Sequence, residues 1–222
     1  MIALIDYGAG NVRSVHKALV AVGGEVVRTS SPEEVLEADK VVLPGVGAFA
    51  DCMASLERLD LIGAIRAVVA RDVPFLGICV GMQVLFDYGE ELGGHIGLGL
   101  LPGRVSRFTI DPSLKVPHTG WNQIEPLQAT GRANTLLAGV REGAWAYFNH
   151  GYRCEAQLTD TLAVTNYGGP YASVVGRQEL FGVQFHPEKS QDLGLHILRN
   201  FVERVGVPDQ AGLTDRKGVG HE

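Results

Sequence analysis

The first 87 residues alternate between short apolar runs and stretches whose apolar residues recur at helical spacing. The runs at 2–5, 25–28, 40–43 and 73–78 have the length of strands, and residues 11–22 and 61–70 carry an apolar helical stripe. A further helix is predicted to start with Ser31 as its cap, Pro32 at its first position and Glu34 completing a capping box. Strands that alternate with helices form a parallel sheet with right-handed crossovers, and helices then cover both of its faces. This stretch therefore predicts an α/β fold with a doubly wound, mostly parallel sheet.

The C-terminal half has a different pattern. Residues 93–103 contain five glycines and are predicted to form a loop. Short strand-like runs follow without helices between them, which predicts antiparallel strands added to the parallel sheet. These runs lie at 104–110, 144–150, 162–166, 173–175 and 180–185.

The chain is predicted to be a single domain. Residues 193–205 have the spacing of a closing helix, and neither a repeat nor a linker divides the sequence before them. Residues 206–222 are rich in glycine and charge, and we expect them to be a frayed tail after a domain of residues 1–205.

Composition excludes several classes of function. The net charge of −6 argues against a protein that binds nucleic acid or an acidic membrane. No apolar run approaches the ~18 residues of a membrane span, and the N-terminus lacks the basic segment of a signal peptide. Three widely spaced cysteines suit a reducing cytoplasm.

Neither a metal nor a cofactor is expected. No C-x-x-C pair and no H-E-x-x-H motif occurs in the sequence. Gly8 and Gly10 begin a weak match to the dinucleotide-binding motif, but Arg13 occupies the third glycine position, and a tight strand-to-helix turn accounts for the pair better.

Cys79 lies where a predicted strand turns directly into a predicted helix, in which Val80, Val84 and Leu85 fall at helical spacing. Gly77 and Gly81 flank it at two residues on either side, a layout similar to the nucleophile elbow of hydrolases with sulfur in place of oxygen. The start of a helix favours a thiolate, and the N–H of Val80 would point toward an oxyanion formed at the sulfur. The alternative is a buried structural cysteine, which is a common role for this residue.

His186 is the candidate base. It ends an apolar strand and is followed by Pro187 and Glu188. In an extended segment, residues two apart face the same side, so the carboxylate of Glu188 can approach the imidazole and orient it. The alternative is a solvated His-Pro-Glu turn at the surface, whereas a metal site at this pair lacks further ligands at suitable spacing.

Several motifs together resemble the class I, triad-type glutamine amidotransferases, and most closely the glutaminase subunits of imidazole glycerol phosphate synthases. The general motifs are Pro-Gly-Val-Gly (44–47), Gly-Ile-Cys-Val-Gly-Met-Gln (77–83) and Gly-Val-Gln-Phe-His-Pro-Glu-Lys-Ser (182–190). The finer resemblance rests on Asp-Tyr-Gly-Ala-Gly-Asn (6–11), Gly-Val-Gly-Ala-Phe (45–49), Pro117-His118 before Gly-Trp-Asn (120–122), and Tyr147-Phe148 before His150. The resemblance extends from residue 2 to about 205.

The resemblance implies a Cys-His-Glu triad. Cys79 would attack the carboxamide of glutamine, His186 would serve as base and then as acid for the departing ammonia, and Glu188 would orient His186. The family's oxyanion hole would be formed by backbone N–H groups of Val80 and of the loop that contains Gly45, Val46 and Gly47, a loop that also acts as a gate.

The family's substrate contacts map onto four residues. Gln83 and Glu91 match positions that hold the amide and α-amino ends of glutamine, and His150 and Gly151 match a segment that lines its backbone. For Glu91, a solvated acid beside Glu90 is the alternative. The chain departs from the family pattern at Thr119, Asn149 and Gly151.

The resemblance also implies a partner, because the chain has a site for producing ammonia and none for using it. The partner would be a (β/α)8-barrel cyclase that receives the ammonia and forms imidazole glycerol phosphate and an aminoimidazole carboxamide ribotide in histidine biosynthesis. Two other functions remain open: a stand-alone γ-glutamyl hydrolase with a catalytic cysteine on the same fold, and a non-catalytic regulatory relative. The second would be expected to lose a member of the triad, yet all three are present.

Overall fold

The computed structural model describes residues 1–109, 114–127 and 135–206. It contains thirteen strands and six α-helices in this part of the chain. The strands are β1 (Ile2–Ile5), β2 (Val26–Thr29), β3 (Lys40–Gly45), β4 (Phe75–Cys79), β5 (Phe86–Gly89), β6 (His95–Ile96), β7 (Leu101–Arg107), β8 (His118–Pro126), β9 (Ala144–His150), β10 (Tyr152–Ala156), β11 (Thr161–Asn166), β12 (Pro170–Arg177) and β13 (Leu180–Val183). The helices are α1 (Val12–Ala21), α2 (Pro32–Glu37), α3 (Phe49–Arg58), α4 (Leu61–Ala70), α5 (Val80–Gln83) and α6 (Gln191–Glu203), and 3₁₀ turns cover Glu91–Gly93, Leu158–Asp160 and Pro187–Lys189.

A nine-stranded mixed sheet forms the centre of the molecule, in the order β2-β1-β3-β4-β13-β12-β11-β8-β9. The five strands from β2 to β13 are parallel, and the remaining pairs are antiparallel. Helix α1 packs against α6, whereas α2 and α3 pack against α4. The predicted α/β class, with antiparallel strands added to a parallel sheet in the C-terminal half, is confirmed. Two of the runs predicted as antiparallel additions were placed wrongly: the run at 180–185 forms β13, which pairs in parallel with β4, and the run at 104–110 belongs to β7 in a separate sheet.

The prediction for residues 93–103 was wrong in part. Strands β6 and the start of β7 lie within this glycine-rich segment and belong to a second sheet, of order β10-β7-β5-β6. The glycines here allow close approach of neighbouring backbone: a Cβ at Gly97 would lie 2.1 Å from the carbonyl oxygen of Phe86, and one at Gly103 would lie 2.4 Å from that of Glu155. Glycine is depleted in strands in general, so the sequence pattern did not reveal strand β6 or the start of β7.

The start of α2 shows how one predicted cap forms only in part. Ser31 Oγ accepts a hydrogen bond from the Glu34 N–H at 3.3 Å, as a capping box requires. In a full capping box the Ser31 N–H would donate to the Glu34 side chain. Here the Ser31 N–H donates to Thr29 Oγ1 at 2.9 Å instead, and the Ser31 hydroxyl donates to Glu33. The predicted cap residue is therefore right and the full box is wrong.

The remaining helices agree with their patterns. The predicted stripe of α1 is buried at Val12, Val15 and Leu19, and Val22 beyond the helix end is buried with it. Gly8 and Gly10 both have positive φ, of 89° and 114°, in the tight turn between β1 and α1. Helix α6 begins two residues before the predicted start. Within the described residues, no helix is long and apolar enough to cross a membrane. Of the predicted tail, only Gly206 lies among them.

Candidate active site

Cys79 is the last residue of β4 and lies at a strained turn into α5. Its φ of 55° and ψ of −111° are rare for a residue with a side chain, and such a conformation costs roughly 1–3 kcal/mol. A Cβ at Gly77 would lie 2.5 Å from the Gly81 carbonyl oxygen, and one at Gly81 would lie 1.9 Å from the Leu43 carbonyl oxygen. Both glycines are thus required for close packing of the elbow, as the sequence predicted.

Helix α5 is shorter than the sequence indicated. The apolar spacing that includes Val84 and Leu85 predicted a longer helix, but α5 ends at Gln83 after a single turn. A helix of four residues has little macrodipole, because aligned peptide dipoles must accumulate over several turns. The predicted dipole stabilisation of the Cys79 thiolate is therefore replaced by contacts with individual neighbouring groups.

The predicted oxyanion loop lies beside Cys79. In the parallel pairing of β3 with β4, Gly45 lies opposite Cys79. Val46, Gly47 and Val80 line the cleft at Cys79, and Gly47 has a φ of 91°. Gly45 lies behind them, where a Cβ would be 2.6 Å from the Gly81 nitrogen.

His186 and Glu188 form a buried pair. The Nδ1 atom of His186 lies 3.0 Å from Glu188 Oε1, and the two side chains are only 3% and 1% exposed. The alternative of a solvated turn is therefore wrong. The pair does not arise from an extended segment, as the sequence reasoning assumed, because Pro187–Lys189 forms a 3₁₀ turn that brings the carboxylate back to the ring.

Backbone contacts fix the position of His186. Its N–H donates to the Tyr147 carbonyl at 2.9 Å. The Ser190 hydroxyl donates to the His186 carbonyl at 2.7 Å and accepts the Tyr147 N–H at 3.0 Å. The histidine that follows β13 is therefore tied to β9 on one side and to the start of α6 on the other.

The surroundings of His186 favour its protonated form. Burial alone lowers its pKa, but hydrogen bonding and charge interaction with Cys79 and Glu188 outweigh burial and raise the pKa to about 10. The ring thus lies between a sulfur and a carboxylate that both stabilise an imidazolium. This arrangement can hold a proton and pass it to a leaving group.

Asn11 is a member of the site that the sequence reasoning missed. Its Nδ2 donates to Glu188 Oε1 at 3.3 Å, across 177 positions of the chain. Glu188 Oε2 is buried without a hydrogen-bond partner in the described part of the chain. Asn11 belongs to the motif at residues 6–11, which was the only signal in the sequence that marked it.

A cleft of about 180 Å³ opens at Cys79 and brings the predicted substrate residues together. It is lined by Val46, Gly47, Cys79, Val80, Gln83, Glu91, Pro117, Asn149, His150, Gly151, Tyr152, His186 and Lys189. Gln83, Glu91, His150 and Gly151 are all among these residues. In the described ranges, no three His, Cys, Asp or Glu side chains are grouped so as to hold a metal ion.

Gln83 has its amide nitrogen committed to the protein. Nε2 donates to the Tyr152 carbonyl at 3.3 Å and to Gln184 Oε1 at 3.2 Å. No residue in the described ranges donates to its amide oxygen, and this oxygen is the atom with which Gln83 can accept a hydrogen bond from a ligand in the cleft.

Glu91 is not a solvated acid. Its Oε2 accepts the Phe49 N–H at 2.8 Å, at the first position of α3. Ala48, the residue before this helix, has no side chain that could cap it, so the carboxylate supplies the cap from a distant segment. The same contact joins α3, the helix that follows the oxyanion loop, to the turn that carries Glu91.

His150 is held neutral inside the protein. Burial lowers its pKa to about 3, and its Nδ1 lies 2.7 Å from the Tyr152 carbonyl. A carbonyl only accepts, so Nδ1 carries the proton, and Nε2 accepts from the Tyr171 hydroxyl at 3.2 Å. Both ring nitrogens are thus occupied by protein groups, and His150 contributes to the cleft by positioning its wall.

Two of the residues at which the sequence departs from the family pattern contact each other. Thr119 and Asn149 lie opposite one another on β8 and β9, and the Thr119 hydroxyl donates to Asn149 Oδ1 at 3.0 Å. Gly151 lines the cleft together with Asn149.

The sequence matches the family described as "Glutamine amidotransferase class-I" over residues 3–205. It is 47% identical over 220 residues to "Imidazole glycerol phosphate synthase subunit HisH" of Salinibacter ruber, covering 96% of this chain and 99% of the relative. It is 52% identical over 209 residues to the protein of the same name from Zymomonas mobilis, covering 91% and 95%.

Among solved structures, one described as "Crystal structure of glutamine amidotransferase" has a TM-score of 0.72 at 19% identity and covers 93% of this chain and 100% of that one. The structure of PurLQS from Thermotoga maritima has a TM-score of 0.67 at 17% identity, with 90% and 96% covered. At these identities the likeness establishes the fold. The family match and the two curated relatives go further: the chain belongs to the class-I glutamine amidotransferases and, within them, to the imidazole glycerol phosphate synthase HisH subunits.

Proposed function

We propose that this chain is the glutaminase subunit of an imidazole glycerol phosphate synthase and that Cys79, His186 and Glu188 carry out its chemistry. The observation that carries the proposal is the buried His186–Glu188 pair, 3.0 Å apart, beside a strained cysteine at the end of β4. Residues 1–205 would act as one catalytic domain that hydrolyses glutamine to glutamate and ammonia.

The first half of the reaction forms a thioester. Cys79 Sγ attacks the carboxamide carbon of glutamine, and the negative charge moves to the carboxamide oxygen. Backbone N–H groups of Val80 and of residues 45–47 stabilise that oxygen. The imidazolium of His186 then gives its proton to the nitrogen as the carbon–nitrogen bond breaks, and ammonia leaves.

The second half hydrolyses the thioester. Neutral His186 takes a proton from a water molecule as the water adds to the acyl carbon, and the carbon–sulfur bond breaks with its electron pair returning to Cys79. Glu188 keeps the proton-accepting nitrogen of the ring directed at the reacting atoms, because it accepts the hydrogen bond from Nδ1.

The substrate contacts follow from the lining of the cleft. The free amide oxygen of Gln83 accepts from the carboxamide of glutamine, and Gly151 lets the substrate backbone approach the wall that His150 holds in place. Glu91 attracts the α-amino group with its carboxylate while it caps α3.

A partner surface adjoins this site. Trp121 and Trp145 are 44% and 55% exposed on the outer face of β8 and β9. Tyr147 lies on the same face, with its ring centroid 6.0 Å from Trp121 and 6.5 Å from His186. Exposed aromatic side chains of this size mark interaction surfaces. The relatives are named as subunits, and we propose that a (β/α)8-barrel cyclase binds here and receives the ammonia.

The test measures glutamate release by the chain alone, with the cyclase, and with the cyclase plus its acceptor ligand. We expect slow release by the chain alone and much faster release in the third condition, because the oxyanion loop requires the partner to adopt its active arrangement. Equal rates in all three conditions would indicate a stand-alone hydrolase. No release in any condition would indicate a regulatory relative.

Cys79→Ala separates the two activities of the complex. The variant is expected to lose glutamine-dependent synthesis and to retain synthesis from added ammonia. Cys52→Ala is the matched control, because Cys52 is also a buried free cysteine but lies on α3. Glutamine turnover by Cys79→Ala would refute the assignment of the nucleophile.

A further inference from the structure

The buried side-chain amide of Gln184 lies against the sulfur of Cys79, and none of the roles predicted from the sequence was assigned to it. Gln184 Nε2 is 3.8 Å from Cys79 Sγ, within the range for an N–H donor to sulfur, and Gln184 is fully buried. We propose that Gln184 is a further catalytic residue, which stabilises the negative charge on Cys79 by donating this hydrogen bond. The inference rests on the proposed role of Cys79 as the nucleophile.

The direction of the Gln184 amide is determined by its neighbours. The Tyr152 carbonyl can only accept, so the Gln83 group that faces it is the amide nitrogen. That nitrogen also donates to the oxygen of Gln184, at 3.2 Å. With its oxygen facing Gln83, Gln184 must present its N–H₂ group to Cys79. The donor at the sulfur is thus fixed by a chain of bonds that begins at a backbone carbonyl.

The position of Gln184 is as constrained as its direction. It follows β13 directly, and its backbone N–H donates to the Ser173 carbonyl at 2.9 Å. The thiol of Cys154 approaches its amide oxygen at 4.0 Å, and burial raises the pKa of that thiol well above its usual value, so it remains a neutral donor. A buried amide that lacked these partners would be costly, and every polar atom of this one is used.

A donor at the sulfur would act when the sulfur carries charge. In the free enzyme it favours the thiolate over the thiol. In hydrolysis of the thioester, water adds to the acyl carbon, His186 takes its proton, and the carbon–sulfur bond breaks with the electron pair passing to Cys79. The Gln184 N–H then stabilises sulfur as the leaving group. Because α5 is a single turn, this bond supplies stabilisation that a longer helix would otherwise provide.

Other ionisable groups face Cys79 from the surrounding elements and are the same residues in the wild type and in Gln184→Met. These are Tyr7 after β1, Glu91 on its 3₁₀ turn, His150 at the end of β9, Cys154 on β10, and His186 and Lys189 after β13. Of these groups, only Cys154 forms a hydrogen bond with Gln184 in the described part of the chain, and burial keeps its thiol neutral. A change in the alkylation of Cys79 on substitution of Gln184 can therefore be attributed to the lost donor.

The test measures the rate at which iodoacetamide alkylates Cys79 between pH 5 and 10 in the full-length chain, with the modified peptide identified by mass spectrometry. Gln184→Met has nearly the same shape and no donor. We expect its pH midpoint for alkylation to lie about one unit above that of the wild type, as for loss of one hydrogen bond to a charged group. Ser173→Ala is the matched control, since this buried hydroxyl on the neighbouring strand has no partner in the described part of the chain, and its midpoint should not move.

An unchanged midpoint in folded Gln184→Met would overturn the proposal and leave Gln184 a structural residue. Should that variant fail to fold, the wild type provides the second measurement. The side-chain amide resonance of Gln184 in ¹⁵N-labelled protein should shift with the same pH midpoint as alkylation, and the shift should vanish in Cys79→Ala. A resonance that does not respond to pH would also overturn the proposal. Alkylation requires no turnover of glutamine, so failure here is distinct from failure of the glutaminase assignment.

Discussion

Gly81→Ala is the substitution that most directly tests how the elbow is built. A Cβ at this position would lie 1.9 Å from the carbonyl oxygen of Leu43 and 2.9 Å from its carbonyl carbon. Both atoms are backbone of β3, which pairs with β4 through the ladder that places Gly45 opposite Cys79. The clash therefore cannot be relieved by rotation of a side chain.

The expected loss of stability follows from how far α5 and β3 must move apart to make room for the methyl group. To restore an ordinary contact, α5 and β3 must separate by roughly 1 Å, which strains packing by about 1–3 kcal/mol and weakens ladder hydrogen bonds worth about 1 kcal/mol each. The better helix propensity of alanine offsets about 1 kcal/mol of this destabilisation. We expect a net destabilisation of about 3 kcal/mol, or a fall of roughly 6–12 °C in Tm for a domain of this size.

The matched control is Gly63→Ala on α4. Gly63 is also helical, but it is exposed, and a Cβ there meets nothing within 4 Å. This change should stabilise the protein by about 0.5–1 kcal/mol, because alanine loses less backbone entropy on folding. Thermal and urea unfolding measure both effects.

Activity provides a second readout of the same change. A displacement of about 1 Å at the nucleophile costs on the order of 10²-fold in rate, so glutaminase activity of Gly81→Ala in the complex should fall at least that far, whereas Gly63→Ala should retain it. A Tm for Gly81→Ala within about 2 °C of the wild type, or activity within a few-fold, would refute the argument from close packing.

Three further predictions concern the groups around His186. Glu188→Gln should lower kcat by about 10²-fold, less than loss of Cys79, because an orienting residue is less indispensable than a nucleophile; unchanged steady-state kinetics would reduce the triad to a dyad. The pKa of His186 is raised in the folded protein to about 10 from an ordinary value of 6.5, so the stability it contributes is complete below pH 6.5 and is lost as the pH rises to about 10. Urea unfolding should therefore show the wild type losing more stability than His186→Gln across this interval, and parallel curves would contradict the raised pKa. Asn11→Ala removes the 3.3 Å donor to Glu188 and should lower kcat several-fold with little change in KM, whereas a change in KM alone would place Asn11 in substrate binding instead.

Features that depend on near neighbours in the chain could be predicted from the sequence. The alternation of strands and helices before residue 87 specified four of the five parallel strands, β1 to β4, because strand and helix periodicity each depend on side chains only a few positions apart. The fifth, β13, comes from the C-terminal half, and its parallel pairing with β4 could not be predicted in this way. Gly77 and Gly81 indicated the elbow, because a tight turn requires small residues at fixed offsets from Cys79. The roles of individual residues came from the resemblance of several motifs taken together.

Only the tertiary structure decided which distant groups meet. Gln184 and Cys79 are 105 positions apart, and Asn11 and Glu188 are 177 apart. The second sheet was likewise hidden, because Gly97 and Gly103 weaken the strand pattern while they allow close backbone approach. The partner of a buried polar group depends on which elements pack around it, and local periodicity carries no information about that packing. The sequence by itself thus determined strands β1 to β4 of the parallel sheet and the turn that presents Cys79, whereas the packing of β1, β4 and β13 decided which amides and carboxylates surround it.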